Sequence, residues 1–157
     1  MTDLSTFLGN ITAIRGLSGD EGPVAEAIAE AFRPLCEDVE IDAMSNVVAR
    51  IGKEGPRVMV TAHLDEIGLM ATIIEDDGSI RFTRVGGVDP RILPGSRVVV
   101  HTSEGPMTGV IGALPPHLLS AADRKKNYKM EKLHVDMGLP VERVRELVHP
   151  GTPIALY

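Results

Sequence analysis

The sequence predicts an α/β fold, with the first part of an α/β domain over residues 1–68 and a small β domain over 69–157. Three observations carry this. Two helical apolar stripes open the chain, and a fully apolar run at 58–60 comes after them. Past Gly68 the pattern turns to short strands separated by turn residues.

Leu4, Phe7, Leu8, Ile11 and Ile14 recur at helical spacing and predict a helix over 3–15. Asp20 is an N-cap type of residue for a second helix, and Pro23 suits its first turn. Val24, Ala27, Ile28, Ala31 and Phe32 form its apolar face, and Pro34 ends it. Both stripes are expected to be core. Strands are predicted near 37–42, 46–51 and 57–62. In the last of these, Val58, Met59 and Val60 follow the turn signal Gly55-Pro56. Such an uninterrupted run suits a strand covered on both faces.

In the second half, predicted strands over 69–75 and 79–85 flank Asp76-Asp77-Gly78, a hairpin signal. A strand over 97–102 follows Leu93-Pro94-Gly95, and one over 107–113 follows Glu104-Gly105. Strands at this spacing predict a small barrel or a sandwich. The stretch 119–132 is polar and holds Lys125, Lys126, Lys129 and Lys132, the composition of a mobile loop or a solvated helical turn, with an assembly contact as the other reading of the lysines. A strand over 133–136, a helix over 140–148 with Pro140 at its first position, and a strand over 154–156 complete the chain. Val141, Val144 and Leu147 fall on one side of that last helix.

The chemistry-bearing cluster is His63, Asp65 and Glu66, placed where the 58–62 strand would end. In open α/β sheets, ligands bind at the carboxyl ends of strands. Neutral imidazole is a good ligand for zinc or cobalt, and a nearby carboxylate can accept its other N–H and fix the tautomer. His63 and Asp65 are two apart, so on an extended chain they share a side, whereas Glu66 points elsewhere. The same residue types also occur at strand ends as plain solvent-facing groups.

Other candidates weigh less. His117 after Pro115-Pro116 reads first as a turn histidine. His101 and His134 fall in strands, and His149 sits where a helix dipole favours a cation. Asp76-Asp77-Gly78 lacks the other ligands of a calcium loop. Gly86-Gly87 has no following Lys-Ser/Thr and opens no helix, so it is not a phosphate loop.

Composition narrows the function classes. Hydrophobic residues make up 43% of the 157, enough for a core, and the net charge of −6 argues against a nucleic-acid partner. One cysteine, Cys36, precludes an internal disulfide and fits a cytoplasmic, reducing compartment. No apolar run approaches the length of a membrane span, and no secretory leader is evident at the start. With three Phe, two Tyr and no Trp, stacking on sugars or bases is not expected.

Six segments, in order, resemble the dinuclear-metal aminopeptidases of the glutamyl/deblocking type. This family includes the tetrahedral aminopeptidases and members once labelled endoglucanases. The segments are Leu17-Ser18-Gly19-Asp20-Glu21-Gly22, Asp42-Ala43-Met44-Ser45-Asn46-Val47-Val48-Ala49, Ala62-His63-Leu64-Asp65-Glu66-Ile67-Gly68, Gly109-Val110-Ile111-Gly112, Pro115-Pro116-His117 and Val135-Asp136-Met137-Gly138. Gly86-Gly87 falls in register with them.

The resemblance implies an N-terminal portion of the aminopeptidase α/β domain over 1–68 and a PDZ-like β-barrel insert over 69–157. It implies hydrolysis of N-terminal peptide bonds by a metal-activated water, two zinc or cobalt ions per complete site, peptide substrates and homo-oligomers. It matches His63 to a metal ligand and Asp65 to the acid that orients it. The family's remaining ligands and general base match nothing here. One His cannot hold a catalytic zinc, which needs three protein ligands and an open position. The chain alone is therefore expected to be inactive. The other readings are a non-catalytic binding or oligomerisation module, and one half of a split peptidase.

Overall fold

The computed structural model describes residues 3–121 and 126–156. Part of the basic stretch, Lys125 included, lies outside the described residues. The chain divides into two compact units, Met1–Glu66 and Ile67–Tyr157.

The first unit holds two helices and a hairpin. Helix α1 spans Leu4–Thr12 and α2 spans Gly22–Phe32. Asp3 caps α1 by accepting from the Thr6 amide at 3.3 Å, which meets one of the orphan donors of the first turn. The expected cap of α2 is not made. Glu21 holds the N-cap position without a side-chain bond, and Asp20 instead pairs with Arg15 at 2.6 Å. A guanidinium offers the carboxylate a charge-assisted partner, stronger than a neutral amide.

The apolar stripes divide unequally. Val24, Ala25 and Ala29 of α2 are buried, as is Leu17. No residue of α1 is buried, so its stripe is not core in this unit.

Strands β1 (Asp38–Ile41) and β2 (Val47–Arg50) pair antiparallel, from Asp38 opposite Arg50 to Ile41 opposite Val47. The connecting turn is organised by Asp42. Its carboxylate accepts from the Met44 amide at 2.8 Å, the Asn46 amide at 2.9 Å and the Asn46 side chain at 2.8 Å. These bonds hold the Asp42 carboxyl below the ordinary aspartate range, the Asn46 side chain first among them.

The strand expected at 57–62 does not form. Residues 51–65 carry no regular element, and Val58, Met59 and Val60 are 83%, 86% and 92% exposed. The reason is pairing. A strand needs a neighbour for its amides and carbonyls, and among the described residues neither edge of the two-stranded β1–β2 sheet pairs with this segment.

The second unit is a closed barrel, not a sandwich. Its strands are β3 (Gly68–Ile74), β4 (Ile80–Val85), β5 (Arg97–Thr102), β6 (Gly105–Gly112), β7 (His134–Asp136) and β8 (Pro153–Leu156). Around the barrel the order is β3-β4-β7-β6-β5-β8, with β8 returning to β3, and every pairing is antiparallel. The β3–β4 hairpin turns at Asp76-Asp77-Gly78, where Gly78 has φ of 85° and Asp77 accepts from the Ser79 amide at 2.9 Å. Only a residue without a Cβ takes that φ readily.

Alternation builds the interior. Leu69, Ala71, Ile80, Phe82, Val98, Val100, Ile111, Val135 and Ile154 all point into one buried cluster. Helix α3 (Val141–Leu147) closes over it with Val144 and Leu147, and Pro140 takes the N-cap position, one residue before the place expected. Gly109 shows how tight the fit is: a Cβ there would stand 2.5 Å from Val135 Cγ1. Among the described residues, no helix is long and apolar enough to cross a membrane.

Ile80 is fully buried at the meeting of β4 and β7. Ile80→Ala is expected to destabilise the barrel by about 2–5 kcal/mol, through lost transfer energy and a residual cavity. Urea denaturation followed by circular dichroism measures this, and a loss under ~1 kcal/mol would contradict the packing described.

Candidate functional site around His63 and Asp65

Residues 63–66 follow the unpaired segment and are held from one side. The Glu66 amide donates to the Gly16 carbonyl at 2.7 Å, and the Ser18 amide donates to the Glu66 carbonyl at 3.4 Å. Together they make an isolated parallel bridge between Leu17 and Glu66. Leu17 is buried at this point. Gly16 permits the approach, because a Cβ there would meet Val24 Cγ1 at 2.9 Å and the Leu64 carbonyl at 3.4 Å.

This bridge sets the geometry of Asp65. One carboxylate oxygen, Oδ2, accepts from the Ser18 hydroxyl at 2.5 Å. The other, Oδ1, lies 3.3 Å from His63 Nδ1. The backbone carbonyl of Asp65 lies closer to the same nitrogen, at 3.0 Å. His63 Nδ1 therefore faces two acceptors of one residue. With Nδ1 carrying the proton, Nε2 keeps its lone pair, and the His63 side chain is 86% exposed. The Asp65 carboxyl is held below the ordinary aspartate range, by the Ser18 hydroxyl above all and by His63 to a smaller degree.

The structure thus brings His63 and Asp65 together, as their spacing suggests, and adds two partners that sequence reading had not assigned. The carbonyl of Asp65 carries no sequence signature. Ser18 is 47 residues from Asp65, and the only clue to it was its place in the Leu17–Gly22 segment. Glu66 contributes its backbone to the bridge.

The remaining candidates belong to the second unit. His117 lies in a 3-10 turn over Pro116–Leu118, and His101 and His134 lie in β5 and β7. His149 follows α3, its amide donating to the Thr152 hydroxyl at 2.9 Å. Gly86 is needed where Ile67 packs against it, since an added Cβ would meet Ile67 Cγ2 at 2.6 Å. Among the described residues no three His, Cys, Asp or Glu side chains gather where they could hold a metal ion. One imidazole backed by one carboxylate is a fragment of a metal site, and it does not fit a zinc or cobalt ion by itself.

The profile of the M42 glutamyl aminopeptidase family matches residues 45–157. The lysyl aminopeptidase of Pyrococcus furiosus is 36% identical over 125 residues, covering 78% of this chain and 36% of its own length. A solved TET aminopeptidase from a marine sediment archaeon of the Thaumarchaeota superposes with a TM-score of 0.90 at 29% identity, covering 98% of this chain and 44% of that one. The TET1 peptidase of Pyrococcus horikoshii, described as able to assemble into a tetrahedron or a large octahedral shell, gives a TM-score of 0.86 at 37% identity, covering 98% and 46%. Fold and sequence agree on a class, the aminopeptidases. Within that class, the chain belongs to the M42 glutamyl aminopeptidase family. It spans about two-fifths of the length of the relatives it matches.

Two outcomes follow from this geometry. Gly16→Val is expected to push the 16–18 segment off residues 64–66, and amide exchange at Glu66 should accelerate about tenfold or more as its bond to Gly16 opens. Unchanged protection would show that the bridge does not depend on the missing side chain. The second concerns pH. The folded Asp65 value lies below the unfolded one, so its stabilising contribution is present above the ordinary aspartate range. It is lost as pH falls below about 4, through the depressed value. Carboxyl NMR titration should place the Asp65 midpoint below that of an unpaired aspartate, and a midpoint at or above it would contradict the contacts described.

Proposed function

We propose that this chain carries the N-terminal part of a metal-dependent aminopeptidase that removes N-terminal residues from peptides. The observation that supports this most directly is the His63–Asp65 pair, with Nδ1 engaged by Asp65 and the other ring nitrogen left open. In this reading His63 is one ligand of a divalent ion, zinc or cobalt, through Nε2. Asp65 fixes its tautomer and the plane of its ring. The remaining ligands and the general base come from residues other than those of this chain. The names of the relatives support the reaction class, although one prints lysyl and the family description prints glutamyl, so they do not agree on the residue removed.

The reading extends to assembly. Val58, Met59 and Val60 present an apolar, unpaired segment, which is a template for another strand. Homo-oligomers, with the 1–68 region as the associating part and the PDZ-like 69–157 region as a stable β domain, fit both this exposure and the shells described for the Pyrococcus horikoshii peptidase. A cytoplasmic setting is consistent with the single cysteine.

The purified 157-residue chain is expected not to hydrolyse amino-acid anilides, with or without added zinc or cobalt. It should bind zinc weakly by calorimetry, far short of the 10 kcal/mol or so of a full structural site, and His63→Ala should remove what binding there is. Turnover that His63→Ala abolishes, or tight binding of one ion per chain, would overturn this division of the site.

A further inference from the structure

We infer that Ser18 is a positioning residue that aims His63 by holding the carboxylate of Asp65. The inference rests on the reading of Asp65 as the group that orients His63, and it adds the residue that orients Asp65 in turn.

The geometry is specific. An aspartate carboxylate rotates about a broad torsion, and a single contact to one oxygen leaves that rotation open. Here each of the two oxygens has its own partner. Ser18 Oγ donates to Oδ2 at 2.5 Å, while Oδ1 faces His63 Nδ1 at 3.3 Å. Fixing Oδ2 fixes the direction of Oδ1.

The serine is itself placed by backbone. Its amide donates to the Glu66 carbonyl, the Gly16 carbonyl accepts from the Glu66 amide, and Leu17 between them is buried. The hydroxyl thus has a fixed origin one residue from the group it holds. Asp65 is only partly buried, and a hydroxyl fixed by the protein holds its carboxylate more narrowly than a mobile water would. The Asp65 carbonyl, the nearer acceptor for Nδ1, is set by the same bridge. That carbonyl stays when the serine hydroxyl is removed, so the effect of Ser18 is read in the part of the orientation due to the carboxylate.

The test is the tautomer of neutral His63, read from imidazole 15N shifts of the full chain at mildly alkaline pH, with His63→Ala to assign the signals. Wild type should hold mainly the Nδ1–H form. Asp65→Ala marks the ratio that the backbone carbonyl sustains alone. Ser18→Ala should lower the ratio of Nδ1–H to Nε2–H about threefold to tenfold, towards the Asp65→Ala value, and Ser18→Thr, which keeps the hydroxyl, should restore it. If Asp65→Ala matches wild type, the carboxylate does not orient His63, and both the reading of Asp65 and this inference fall. If Asp65→Ala shifts the ratio and Ser18→Ala leaves it at the wild-type value, the inference alone falls. Should Ser18→Ala not fold by circular dichroism, Ser18→Cys, close in size but a weak donor, decides the matter beside Ser18→Thr. The inference requires Cys to shift the ratio and Thr to keep it, and equal ratios overturn it.

Discussion

The second unit depends on one pairing, the insertion of the short strand β8 between β5 and β3. Val99 faces Ala155 on one side, and Leu69 faces Ile154 on the other. Without those few residues the sheet would have two free edges and the cluster around Ile154 would face water. A closed sheet has no edge to protect, so short strands suffice. The turns around it are set by local chemistry, such as Asp77 over Ser79 and the φ of 85° at Gly78. The barrel is therefore held by a non-local closure and shaped by local turns.

The first unit lacks any comparable closure. Its apolar burial centres on Leu17, Val24, Ala25 and Ala29. What organises the segment around His63 and Asp65 is a single bridge between 16–18 and 64–66. The pair of His63 and Asp65 is ordered from the side of the 16–18 turn, and on the other side residues 51 to 62 form no regular element.

Much of the architecture was legible in the sequence because it rests on local signals. The β3–β4 hairpin follows from alternation around an Asp-Gly turn, and α3 from three apolar residues at helical spacing. Two misjudgements have a common cause. An apolar run at 58–60 has the composition of a strand, but becoming one requires a partner strand, and composition does not supply it. The N-cap at Asp20 was lost to Arg15, a competitor that a capping rule does not weigh. At the site, the spacing of His63 and Asp65 foretold their meeting. The role of Ser18 was hidden by 47 residues of separation, since hydrogen bonds across the chain leave no periodic trace.

The exposed segment at 58–62 runs directly into His63, and this joins two equilibria that are usually treated apart. Any strand that adds there restricts the backbone dihedrals up to one residue short of the imidazole. Pairing there would cover part of the apolar surface of Val58, Met59 and Val60, favourable by roughly 25 cal/mol for each Å² removed from water. Part of that free energy is available to narrow the range of positions His63 samples. By thermodynamic reciprocity, anything that grips the ring must favour the added strand to the same degree. If His63 binds a ligand and the added strand narrows its positions, occupancy there would rise with the concentration of the strand-donating species, following mass action, with no contact between that species and the ring.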